Sequence, residues 1–206
     1  MVQQQPGAVP PAVLAGWLAA LDAQPGASLK LADALDLRQV LAVLRPVIEV
    51  RWPGLMSVLS VVASQCWVRR ARPPHQWHQD GALHHDFIAQ PAGELLPMET
   101  CWIPLNDCGV DAPGLEWLDA EPGRMLAPAE LSDAALRARY AADAFRHPPL
   151  TAGDALFFDG GQLHRTHVTP AMNQPRTSIE LRFIAAGPVP PRLTRETLLS
   201  WREFLS

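Results

Sequence analysis

The sequence predicts a mainly β domain, an antiparallel barrel or sandwich entered through helices. Short β-rich runs from about residue 55 onward are separated by Pro, Gly and Asp, and no regular helix joins successive runs as a parallel α/β sheet would require. With 206 residues, 48% hydrophobic and 18% charged, the chain holds enough apolar material for one substantial core, and its 21 prolines and 13 glycines suit a fold of many turns. One domain over 1–206 is expected.

Residues 11–23 (AVLAGWLAALDAQ) and 33–50 (DALDLRQVLAVLRPVIEV) space their apolar side chains helically, with Asp33 as N-cap of the second and Pro46 expected to end or bend it. They make residues 1–54 a helical support. The core then spans 55–186 through MSVLSVVASQCWV, METCWIPLND, DALFFD and RTSIELRFI, interrupted by a helical insert near 128–142 with Pro128 in its first turn. A proline-rich connection at 187–192 leads to a tail helix at 193–205, closing a segment 187–206.

A formal charge of −4 provides no general attraction for nucleic acid or an anionic membrane, and no run of eighteen apolar residues exists to span one. Arg69, Arg70 and Arg72 form a local basic cluster, either a solvated edge or a cradle for an anionic substrate. Cys66, Cys101 and Cys108 cannot all pair within one chain and show no CxxC spacing, which fits a reducing, cytoplasmic setting. The start MVQQQPGAVPP has neither the basic residues nor the apolar stretch of a secretory signal. The expected partner is a small molecule, with the chain acting as a monomer or homodimer.

The chemistry concentrates in PPHQWHQDG, residues 73–81, where His78 and Asp80 stand two apart. On an extended backbone i and i+2 project to one side, so both reach a single ion while Gln79 faces away, and Gly81 lets the chain turn beneath the site. A third ligand is His164, at the end of DALFFDGGQLH, whose Gly160 and Gly161 permit close backbone approach. Two imidazoles and one carboxylate make the facial triad of non-haem iron(II) oxygenases. His167 competes with His164, but on a strand the two point to opposite faces.

Twelve residues after His164 comes RTS, with Arg176 and Ser178. A planar guanidinium fork grips a carboxylate bidentately, and a hydroxyl two residues along shares its face, so the pair reads as a 2-oxoglutarate anchor. Arg182, six residues on, lies on that face too and is an alternative anchor. His75, His84, His85 and His147 read as loop or supporting residues, with His85 near enough to the metal motif to meet substrate. Asp154 reads as a turn residue, and Trp67, Trp77 and Trp117 as core or pocket aromatics.

From about Ser57 to Ile184 the chain resembles the phytanoyl-CoA dioxygenase-like family of Fe(II)/2-oxoglutarate oxygenases. WHQDG, METCWIPLND, PGLEWL, TAGDALFFDGGQLHRT and NQPRTSIELRF are similar to that family's successive motifs in order. The resemblance implies a double-stranded β-helix, a jelly-roll barrel, with His78, Asp80 and His164 on Fe(II). It implies Arg176 and Ser178 on 2-oxoglutarate, with Trp102 and Gln65 beside it. It further implies a dioxygenase that uses O2 to hydroxylate an unactivated C–H bond of a small metabolite, releasing succinate and CO2. Asp80 matters here, because halogenating relatives carry a small residue in that place. GLEWLDAEPGRM departs from the family's usual proline-glycine-serine-histidine ending. Two other readings of the same residues are a non-catalytic metal-binding jelly-roll protein and a zinc-dependent hydrolase.

Overall fold

The computed structural model describes residues 1–53, 59–70, 74–82, 95–96, 98–184 and 198–201. In chain order the elements are β1 (Gln3–Gln5), α1 (Pro11–Asp22), β2 (Ser28–Lys30), α2 (Leu31–Ala34), α3 (Leu37–Arg51), β3 (Ser60–Val62), β4 (Trp67–Arg69) and β5 (Met98–Pro104). They continue with β6 (Gly114–Leu118), α4 (Asp133–Arg139), β7 (Phe145–Arg146), β8 (Ala155–Asp159), β9 (His164–His167), β10 (Ser178–Ile184) and β11 (Leu198–Ser200).

Two antiparallel sheets form a jelly roll. The larger runs β1-β8-β5-β10-β3-β11, with β4 also on β10 and β2 on β4; the smaller is β7-β6-β9. Among the described residues the two sheets are not hydrogen-bonded into a closed barrel. The long edge of β10 pairs with β5 over its whole length, while its other edge is shared by β4 and β3 on either side of a tight turn at Ala63–Gln65.

Period-2 alternation explains how the large sheet serves two purposes. Cys101, Ile103, Ala155, Phe157, Ile179, Leu181 and Phe183 turn toward the helices, packing with Leu14, Trp17 and Leu21 of α1 and Val40, Leu41, Leu44 and Ile48 of α3. Their alternates Trp102, Leu156 and Phe158 enter a second cluster with Leu115 and Trp117 of the small sheet. On β10 the alternates are Ser178, Glu180 and Arg182, all buried. That strand thus carries a polar face inward.

Several expectations are corrected. Asp36, not Asp33, caps α3: its carboxylate accepts from the amides of Arg38 and Gln39, while Asp33 falls within α2. Pro46 neither ends nor confines the helix, which runs through to Arg51. One lost hydrogen bond and a local clash, about 3 kcal/mol, are outweighed by the burial of five aliphatic side chains at about 1.5–3 kcal/mol each.

The helical support also contributes β1 and β2 to the large sheet, so its role is not helical alone. The first β run is split by the Ala63–Gln65 turn, which places Gln65 off the strand. The insert near 128–142 is broken into a 3-10 turn at Pro128–Leu131, α4 capped by Ser132, and a second turn at Ala142–Ala144. Of the expected tail helix, residues 198–200 are a strand that finds backbone partners on β3, and most of the remainder lies outside the described residues, as do the 187–192 connection, Arg72, His84 and His85.

Candidate metal centre

His78 and His164 are joined through their backbones, each amide donating to the other's carbonyl at 3.0 and 3.1 Å. A pair exchanging both hydrogen bonds in an antiparallel ladder directs its side chains to one face, so the imidazoles sit with ring centroids 4.2 Å apart. Each Nδ1–H donates to the carbonyl two residues earlier, His78 to Gln76 at 2.7 Å and His164 to Gln162 at 2.9 Å. A carbonyl accepts only, so Nδ1 carries a proton in both rings, and both Nε2 atoms face the same space.

Asp80 completes the set, with Oδ1 at 3.7 Å from His78 Nε2 and 3.9 Å from His164 Nε2. The chain is extended at His78 but turns at Asp80–Ala82, a local departure from a straight extended motif. Glycine makes the turn possible: a Cβ on Gly81 would stand 2.9 Å from the carbonyl oxygens of Gly160 and Leu96, and one on Gly160 2.8 Å from Gly81 Cα. The two motifs therefore interlock glycine against glycine. Gln79 faces away, donating to the carbonyls of Arg124 and Gly161 and accepting from the amide of Leu126.

Among the described residues these three are the one group of His, Cys, Asp and Glu whose ligand atoms converge as a metal requires, all within 4.8 Å. Burial, reinforced by the neighbouring imidazole of His164, pushes the His78 pKa down to about 4 against the opposing pull of Asp80. Burial would raise the Asp80 pKa, but the guanidinium of Arg182 and both imidazoles together hold it well below the usual carboxylate range. A neutral imidazole at His78 and an ionised carboxylate at Asp80 are protonation states that ligate a divalent cation.

His167 is on the opposite face of β9, its ring stacked on His147 at 4.3 Å and 3.9 Å from Glu116, so His164 alone joins the centre. Arg165, also outward, binds Glu116 at 2.6 Å and Asp133 at 2.8 Å, and Trp77 Nε1 donates to Asp133. This network ties α4 to the segments bearing His78 and His164.

Beside the triad, Arg176 is only 5% exposed; its Nη1 donates to the Gly114 carbonyl, while Nε has no partner. Ser178 Oγ is likewise buried and unpartnered. Unsatisfied buried donors are costly, and here two share the inner face of one strand end. Trp102, buried, lies 5.4 Å from the Arg176 guanidinium carbon. Arg176 and Trp102 line an inner cavity with the triad; the cavity is narrow, about 20 Å³, room for about one water.

An outer cavity of about 370 Å³ shares His75, His78, Asp80 and Arg182 with the inner one. Gln65 lines this outer space rather than the wall below Arg176, along with Arg69. Arg70 is committed elsewhere, donating to the carbonyls of Leu21, Gln24 and Gly26.

Three buried residues of the site went unread in the sequence or were read differently. Glu180 bridges Arg69 at 3.3 Å and Arg182 at 3.4 Å. Arg182, expected as a substitute anchor, instead donates to Asp80 Oδ1 at 2.8 Å. Thr100 donates to Asp80 Oδ2 at 2.6 Å. The signal was the period of two: whatever face holds Ser178 and Trp102 also holds Glu180, Arg182 and Thr100.

No family model and no curated protein matches this chain. Solved structures do. The non-haem alpha ketoglutarate dependent epimerase SnoN from nogalamycin biosynthesis aligns at TM-score 0.64 and 18% identity, over 90% of this chain and 78% of that one. EvdO2 from Micromonospora carbonacea var. aurantiaca, complexed with 2-oxoglutarate, aligns at 0.64 and 17%, over 92% and 90%. HygX from Streptomyces hygroscopicus, with nickel and 2-oxoglutarate bound, aligns at 0.60 and 11%, over 90% and 82%. At such identities the likeness is one of architecture, and the chain has the jelly-roll fold of these 2-oxoglutarate-binding proteins.

Proposed function

We propose that the protein is an iron(II)- and 2-oxoglutarate-dependent oxygenase of the phytanoyl-CoA dioxygenase-like group, hydroxylating an unactivated C–H bond of a small metabolite. The observation that carries this reading is the presence, with the His78, Asp80 and His164 triad, of two buried, unpartnered donors two residues apart, Arg176 Nε and Ser178 Oγ. Those donors suit the distal carboxylate of a keto-diacid, and the nitrogen and oxygen donors of the triad suit ferrous iron. A hydrolase or a passive metal binder would leave the Arg176 and Ser178 donors without a use.

When bound, iron and 2-oxoglutarate supply the oxidising power, with O2 consumed and succinate and CO2 released. The chain's own residues bind, orient and exclude water. His78 and His164 are held in one tautomer by the Gln76 and Gln162 carbonyls. Arg176 and Ser178 fix the diacid's far end, and Trp102 walls it from bulk solvent. Because the inner cavity holds about one water as its side chains stand, seating a five-carbon diacid requires wall side chains to rotate. The outer cavity then receives substrate next to His78, where Gln65 lines it and Arg69, paired with Glu180, stands on its wall.

The three cysteines are free and buried, with the thiols of Cys66 and Cys108 pushed up to about 11 by burial. The experiment is direct. Purified protein given ferrous iron, 2-oxoglutarate and air should form succinate, and His164→Ala should not. Wild-type protein that leaves the diacid untouched would refute the proposal.

A further inference from the structure

We infer that Thr100 and Arg182 are positioning residues that restrict Asp80 to ligation through a single oxygen. The inference rests on the metal-centre reading and adds to it the origin of the coordination number.

Thr100 on β5 and Arg182 on β10 are direct cross-strand partners in the ladder that pairs these strands along their whole length. Opposed residues in a ladder point to one face, and here both reach the carboxylate that the Asp80 turn lowers onto them. Thr100 Oγ1 donates to Oδ2 at 2.6 Å and Arg182 Nη2 to Oδ1 at 2.8 Å. All three residues are buried, with Asp80 only 1% exposed. Arg182 cannot swing freely, since Nη1 donates to the Gln65 carbonyl at 2.9 Å and Nη2 also meets Glu180 at 3.4 Å.

The two oxygens are thereby made unequal. Oδ1 faces both imidazole Nε2 atoms and keeps a lone pair in their direction, whereas Oδ2 is turned to the threonine hydroxyl. A six-coordinate cation held by two imidazoles and one carboxylate oxygen keeps three positions, two for a chelating keto-acid and one for a further ligand. A carboxylate that used both oxygens would remove one of the three. A hydroxyl on Oδ2 is a small, uncharged means of preventing that, and Arg182 sets the orientation from the other side. Partners one bond removed from a metal ligand commonly alter affinity by about 10–100-fold.

The test uses Thr100→Val, which keeps shape and charge, Thr100→Ser, which restores the hydroxyl, and Arg182→Lys, which keeps the charge but loses the fork. Cobalt(II) and anaerobic ferrous iron are titrated into each full-length protein, with 2-oxoglutarate added to the iron forms. Thr100→Val and Arg182→Lys should change the affinity for either cation about tenfold or more, and Thr100→Ser should recover most of the difference. The visible bands of the cobalt form should shift in Thr100→Val, because the freed Oδ2 takes the place of another donor. A change confined to folding would leave the spectrum of the loaded fraction unaltered.

If Thr100→Val yields too little folded protein, Thr100→Ser and Arg182→Lys carry the comparison, and wild-type affinity and spectrum in Arg182→Lys overturn the proposal. So do wild-type affinity and spectrum in Thr100→Val. Wild-type protein that takes up neither cation removes the metal-centre reading itself, and this proposal with it.

Discussion

Replacing Arg176 with methionine removes a buried cation while keeping most of its volume, and so isolates the grip on the co-substrate. Because Nη1 is committed to the Gly114 carbonyl and Nε is unpartnered, a bound carboxylate draws on the Nε side of the fork. Two charge-assisted hydrogen bonds at about 1.5–3 kcal/mol each are at stake. Burial lowers the Arg176 pKa, so the free protein bears a desolvation cost that the variant escapes, and this trims the net loss to about 3 kcal/mol. The expected Kd for 2-oxoglutarate rises on the order of 100-fold. The assay is an anaerobic titration of the ferrous protein, followed by the weak visible charge-transfer absorption of the iron–keto-acid complex. The melting temperature of the metal-free variant should hold or rise, since a buried, half-satisfied charge has gone. Diacid affinity within about threefold of wild type would refute the assignment of Arg176 as anchor.

Further outcomes follow from the same geometry. Gln79→Ala strands the Leu126 amide and the Arg124 and Gly161 carbonyls, a loss of about 3 kcal/mol that should lower Tm by roughly 6–12 °C in a calorimetric scan. Gly81→Ala drives a methyl to 2.9 Å from two backbone carbonyl oxygens, neither of which can rotate aside; folded yield and nickel(II) uptake should both drop sharply, and unchanged uptake would contradict the interlock of the two motifs. In metal-free protein the His78 pKa, about 4, lies below the unfolded value near 6.5, so the folded state resists a proton the unfolded chain accepts. Stability is then fully present above pH 6.5 and falls as pH drops toward 4. With 32% of that side chain open to solvent, screening leaves about 2 kcal/mol of the effect, readable as a lower urea midpoint at pH 4.5 than at pH 7 and absent in His78→Gln.

The residues of the triad and of the proposed anchor were legible because such chemistry demands particular residue types in a particular order along the chain. His78 and Asp80 are two apart, His164 follows the strand run DALFFD and opens β9, and Arg176 and Ser178 stand at the start of β10. The helices were less so. Asp33 and Asp36 both precede apolar runs, and only the packing of Val40, Leu41, Leu44 and Ile48 against the sheet decided which caps and whether Pro46 is tolerated. Likewise Gln3–Gln5 carries no strand signal of its own; it is a strand because the edge of β8 offers it partners.

Sequence alone determined which atoms are available to bind a cation and a carboxylate, since ligand identity and the period of a strand are local properties. Tertiary structure alone decided how those atoms are held. The bridge between His78 and His164, the contact of Gly81 with Gly160, and the opposition of Thr100 and Arg182 across β5 and β10 join residues far apart in the chain. Such pairings depend on sheet register, a global outcome of which hydrophobic face is buried, and no short window of residues encodes it.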